Sequence, residues 1–246
     1  MSDQYSSEAS RLSAEILKLT RDSLMVSLRF MDMALCQLTP VPFDMTGFAS
    51  DGSHFYYETD YILKTYLKQK ETLSRDYLHS VLHWVFHHPF AGKGIDRELW
   101  NLACDLTVEN LILELGLEKL TEERDADKRK QLETLNTQTR AMTAEILYRY
   151  LKEAELTPGA LVALRQLFFR DGHQVWYMEE PKDVARDTDE PSREDRENRD
   201  KSSSDQHSGD SQDQDPPKQE QPQAHFIPPR ISEMDRQEAF ESWQKI

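Results

Sequence analysis

The chain has 246 residues, of which 37% are hydrophobic and 30% charged, with a formal net charge of −15. That length suffices for one good-sized domain, and the low apolar share predicts that part of the chain stays unpacked. The negative charge excludes the basic footprint that nucleic acid or an anionic membrane surface requires.

The N-terminus offers no basic stretch followed by an apolar run, and no segment stays apolar over the ~20 residues of a bilayer span. The two cysteines, Cys36 and Cys104, stand far apart and form no disulfide framework or metal knuckle. The expected setting is reducing and cytoplasmic.

In chain order, Leu12, Ile16, Leu19, Leu24, Leu28, Met31 and Leu35 recur at helical spacing. They predict a helix over about 8–37, ended by Pro40 and Pro42. In residues 46–60, Asp51-Gly52 lies between short runs of β-formers and predicts a hairpin. A helix over 61–71, capped by Thr59 or Asp60, is followed by one that Ser74 caps and that ends near His88, before Pro89. Asp96 caps the next, which stops at Gly116. Residues 117–140 are too polar to place. Thr143 opens a further helix and Thr157-Pro158 another, with proline in the first turn.

These elements predict a mainly α domain with a small β-hairpin or sheet over residues 1–178. Residues 179–224 are nearly free of aliphatic and aromatic side chains, which predicts a disordered, self-repelling acidic linker. In 225–246, Ile231, Met234, Phe240 and Trp243 suit one face of a short helix. That helix either docks back on the first domain or opens a second one, and the second reading is preferred.

The candidate chemistry lies on the helix around residue 80. Residues four apart are offset by only about 40°, so His79 and His83 point the same way and could share one metal ion. Leu78, Val81, Leu82, Trp84, Val85 and Phe86 make the helix apolar nearly all round, hence buried. Buried imidazoles need partners, which a metal or nearby carbonyls and carboxylates could supply; the pair alone favours the latter. His87 reads as a last-turn residue and a reserve ligand. On the next helix Asn101, Asp105 and Glu109 share a stripe that by spacing alone is a solvated face. Cys104 points about 100° away from Asp105 and is assigned to packing. In Asp171-Gly172-His173-Gln174-Val175-Trp176 the Asp and His could add a ligand or close the pocket, but the pattern is more often a turn with a packing tryptophan and is left outside the site.

Three pieces fit together in order and spacing over roughly residues 40–116. They are Thr46-Gly-Phe-Ala-Ser-Asp51-Gly52 with Phe55-Tyr-Tyr57, the His79/His83 helix ending His88-Pro89, and Trp100-Asn-Leu-Ala-Cys-Asp105 followed by Asn110. The combination resembles the bacterial zincin-like metallopeptidase domain that commonly precedes a VWA-like domain. The resemblance implies a minimal zincin-like α+β fold and a zinc ion held by His79, His83 and Asp105. It also implies that the acidic linker leads to a VWA-like domain, with residues 225–246 as its start. Protein partners of the MoxR-type AAA+ ATPase kind follow by the same analogy.

The family motif HExxH has Ser80 at its glutamate position. In such enzymes that glutamate takes a proton from the attacking water and passes it to the leaving amine. A serine hydroxyl is no base near neutral pH, and losing a general base costs about 10²–10⁴-fold in rate. The expectation is a metallopeptidase-like, zinc-binding domain, catalytically weak or inactive, that serves as a structural or interaction module of a VWA-containing protein. Two rivals stand beside it. One is an active metal-dependent peptidase in which Glu109, Asp76 or His87 replaces the base. The other is a metal-free helical interaction module.

Overall fold

A computed structural model describes residues 2–92, 94–177 and 233–246. The acidic segment 179–224, read as a disordered linker, lies outside the described residues. The described chain is mainly helical with one small sheet, as the sequence predicts.

Helix α1 (Ser2–Ser27) buries Leu17 and Leu24. It stops earlier than expected, because Leu28 leaves helical geometry at φ −122, ψ 57. A 3-10 turn at Arg29–Met31 and the short α2 (Asp32–Leu35) continue the apolar period beyond the break. Pro40 and Pro42 do not end a helix; they lie in strand β1 (Thr39–Pro42). The amides of Thr39 and Phe43 bond to the carbonyls of Ser53 and Tyr57 at 2.8 and 2.9 Å. Alternate strand residues face opposite ways, so the prolines place their missing donors on the outer edge, where no ladder bond is lost.

Strands β2 (Phe48–Ser50) and β3 (His54–Tyr57) form the predicted hairpin, and β1 adds parallel to β3 in the order β1-β3-β2. Asp51 holds the turn, its Oδ1 accepting from the amides of Ser53 and His54 at 2.8 and 2.6 Å. Gly52 adopts φ +92, and a Cβ there would stand 2.7 Å from the Trp84 ring.

The two helices expected at 61–71 and 74–88 run together as α3 (Thr59–Val85), interrupted by a kink at Gln69, φ −160, ψ 94. Neither Thr59, Asp60 nor Ser74 caps a terminus: Glu58 is the first-turn boundary, and Ser74 lies buried inside. Every residue from Leu73 to Trp84 is buried, so this half of the helix is enclosed on all sides. His87 turns the chain at φ +57 into a 3-10 turn, His88–Phe90.

Helix α4 (Arg97–Leu115) starts and stops where the sequence places it. Asp96 accepts from the amides of Glu98 and Leu99, and Gly116 takes φ +61. The polar stretch that could not be placed contains α5 (Asp125–Thr139), which buries only Lys128, Leu132 and Leu135. Then come α6 (Ala144–Glu153) and α7 (Pro158–Phe168), the latter capped by Thr157 accepting from the Ala160 amide at 3.2 Å.

Among the described residues, two large apolar cores result, with a small third cluster of Trp100, Cys104 and Ala144. One joins Leu17 and Leu24 of α1, Phe48 and Phe55 of the sheet and Tyr77 and Val81 of α3. The other joins Leu102 and Leu106 of α4 to Leu135, Leu147 and Phe168. Because α4 gives Val108 and Ile112 to the first core, it bridges the two. Buried polar groups collect along the seam between α3 and α4.

Helix α8 (Glu233–Trp243) packs on this same unit. The Trp243 indole donates to the Gly52 carbonyl at 2.8 Å and stacks beside Trp84, while Phe240 meets Phe90 edge-on at 4.6 Å. Docking back is one of the two readings the sequence leaves open. Among the described residues, no helix is long and apolar enough to cross a membrane.

Candidate metal centre

Helix α3 presents His79 and His83 one turn apart, as their spacing requires, with both rings buried. Helix α4 brings Asp105 opposite them. Its Oδ1 lies 3.4 Å from each histidine Nε2, and the two Nε2 atoms are 2.9 Å apart. The three residues expected as ligands are therefore together.

The structure adds two residues that the sequence reading set aside. The turn after α7 carries Asp171 and His173 into the same spot. Asp171 Oδ1 stands 3.5 Å from His79 Nε2, and His173 Nε2 stands 3.3 Å from Asp105 Oδ1. One ligand atom from each of the five residues lies within 4.8 Å of all the others, and all five residues are buried. A first-row cation held at about 2.0–2.2 Å spaces neighbouring ligand atoms roughly 3–3.5 Å apart. The observed distances have that scale, so the donor set fits a divalent ion.

A second observation supports the fit. Asp171 Oδ1 and His173 Nε2 are buried and only 2.8 Å apart, yet they are not aligned as a hydrogen bond, and neither has another hydrogen-bond partner. Buried polar atoms are rarely left so.

Outer groups hold these side chains in place, as a metal site would require. Glu109 Oε1 meets His79 Nδ1 at 3.1 Å, and His83 Nδ1 meets His88 Nδ1 at 2.9 Å. Ser80 donates to Asp171 Oδ2 at 3.3 Å. The Gly172 amide donates to the Phe48 carbonyl at 2.9 Å, tying the turn to β2. The His173 ring stacks on Trp176, 3.9 Å between centroids.

The electrostatics show a site that calls for positive charge. Burial opposes ionisation of Asp171 and Asp105, but the neighbouring histidines outweigh it and hold both carboxyls below their usual range. Burial also opposes a proton on His79, and the carboxylates of Asp105, Asp171 and Glu109 overcome it, raising the pKa well above normal. His83 goes the other way, pulled down to about 4 by burial against its bond to Asp105. A bound dication would supply positive charge to these carboxylates and displace any proton on the ligating imidazoles.

The other sequence candidates fall outside the group. Cys104 is buried packing, as expected, and burial pushes its thiol pKa up. Asn101 accepts from the Tyr177 hydroxyl. His87 packs on Phe90 and Phe240. Glu109 is no solvated residue: it is fully buried against Arg75 at 2.7 Å and Lys128 at 2.5 Å. Asp76 is bound by Tyr61 and Arg170.

No curated protein and no solved structure matches the chain. A family model does, over residues 18–244, a span that takes in all five donors and the segments carrying them; the chain belongs to the family described as "Putative metallopeptidase domain".

Proposed function

We propose that this chain is a zinc-binding domain of metallopeptidase ancestry whose hydrolytic power is weak or absent. It serves as a structural or interaction module of a VWA-containing cytoplasmic protein. The observation that carries the reading is Ser80. By the family resemblance it stands where the motif has its proton-transferring glutamate, and its hydroxyl is spent on Asp171 Oδ2 at 3.3 Å. When bound, the ion would supply Lewis acidity to the site. His79, His83 and Asp105 hold it, and Glu109 keeps the His79 ring in place.

The substitute bases weighed from the sequence offer little. Glu109 is held by Arg75 and Lys128, and Asp76 by Arg170 and Tyr61. His87 is not among the five grouped donors. A cleft of about 510 Å³ runs beside α4, lined by His88, Asn110, Glu114 and Thr143 among others, and none of the five donors lines it. The family resemblance supports the remaining parts of the proposal, an accompanying VWA-like domain and a MoxR-type AAA+ ATPase as partner.

The test is a peptide-library assay on the zinc-loaded chain beside calorimetric titration of the metal. We expect zinc binding without cleavage above the buffer rate. Cleavage that a chelator stops and that His83→Ala abolishes would overturn the inactive reading.

A further inference from the structure

We infer that the turn Asp171-Gly172-His173 supplies two further ligands, so that five side chains hold the ion and at most one coordination position stays free. The inference rests on the metal-binding reading above and goes beyond it, because the family resemblance places ligands only on the two helices.

Three observations converge on the turn. Its two donor atoms are buried and 2.8 Å apart without the alignment of a hydrogen bond, a close ion-pair spacing that ligands of a shared cation would also have. They reach the other donors at ligand-to-ligand distances, Asp171 Oδ1 lying 3.5 and 3.9 Å from the Nε2 atoms of His79 and His83. The turn is also braced from three sides. The Gly172 amide bonds to Phe48, Ser80 occupies Asp171 Oδ2 and leaves Oδ1 for the ion, and Trp176 stacks on His173.

The chemistry follows from the count. Structural zinc takes four ligands, and catalytic zinc takes three from protein plus water. Three imidazoles and two carboxylates exceed both patterns, so the zinc of the reading above, or another first-row dication in its place, would be five- or six-coordinate here. One leftover position cannot hold an attacking water and a substrate carbonyl together. The ion instead clamps α3, α4 and the turn after α7 to one another.

Cobalt(II) added to the full chain reads this directly, since tetrahedral cobalt absorbs intensely in the visible and five- or six-coordinate cobalt weakly. We expect weak bands in the wild type. In the Asp171→Ala/His173→Ala variant we expect several-fold stronger bands and at least tenfold weaker binding. An intense tetrahedral spectrum in the wild type overturns the inference while leaving metal binding intact. So does an unchanged spectrum and affinity in the variant. Folded wild type that takes up no cobalt overturns the metal-binding reading as well. If the double variant does not fold, hydrogen exchange of residues 169–177 in the wild type decides. Cobalt should slow it at least tenfold, and unchanged exchange counts against the turn as a ligand.

Discussion

Ser80 follows His79 on α3 and reaches Asp171, a residue 91 positions away in the chain. If that bond orients the carboxylate, Ser80→Ala should keep the fold and weaken metal binding about 10-fold, the lower end for such outer contacts. Calorimetric titration checks it, and undiminished affinity would deny Ser80 the role. Glu109 carries more. Its carboxylate is fully buried between Arg75, Lys128 and His79. Glu109→Gln removes the fully buried carboxylate that Arg75 and Lys128 share, leaving Arg75 with Asp125 and Lys128 with Glu122, and should cost about 3 kcal/mol of stability, the lower end for a broken buried pair. Urea unfolding measures this, and a loss near zero would mean the network rearranges freely. At this scale His79 and His83 are legible because helical spacing alone aligns them. Asp105 is legible only through the resemblance, since its stripe reads as a solvated face until α3 is packed on it. Asp171 and His173 are legible only as a possible added ligand pair, which the local pattern outweighs. Their meaning depends on a turn folding back across the whole domain, and locally they make an ordinary Asp-Gly turn.

Among the elements, α4 was the most readable, because Asp96 and Gly116 act through their own backbone neighbours. Helix α1 was read too long because the apolar period continues through the 3-10 turn and α2 after Leu28 has broken the helix. Ser74 was read as a cap because serine prefers caps locally, whereas packing of the whole second half of α3 outweighs that preference. The hairpin offers a sharp test. Gly52 sits at φ +92 beneath Trp84, whose ring also stacks with Trp243 of α8. A Cβ there meets the ring at 2.7 Å and adds left-handed strain. Gly52→Ala should destabilise the domain by about 1–3 kcal/mol. It should also loosen α8, seen as faster hydrogen exchange in residues 233–243. Unchanged exchange and stability would mean the turn relaxes without disturbing the indoles.

In the molecule as a whole, the two cores meet along the α3–α4 seam, and the seam is filled with charge rather than hydrocarbon. Arg75, Lys128 and Arg170 face Glu109, Glu122 and Asp76 there. Glu122 makes the arrangement pH-sensitive. Burial would raise its pKa, but Arg170, Lys128 and Arg75 outweigh that and lower it below the ordinary 4.5. The unfolded chain therefore takes up the proton first as pH falls. The stabilisation is complete above about 4.5 and is lost as pH drops through the lower folded value. Glu122→Gln should be less stable at neutral pH and lose stability less steeply below that point. Acid unfolding monitored by circular dichroism shows it, and an unaltered acid slope would place the sensitivity elsewhere.

The central claim is that the buried histidines and carboxylates form a metal site. The most direct measurement is metal content of the purified full chain by elemental mass spectrometry, beside the His79→Ala/His83→Ala variant. About one ion per wild-type chain is expected, and none in the variant. Wild type that stays metal-free after reconstitution with zinc, manganese and iron would contradict it, and the five residues would then be a proton-balanced polar core.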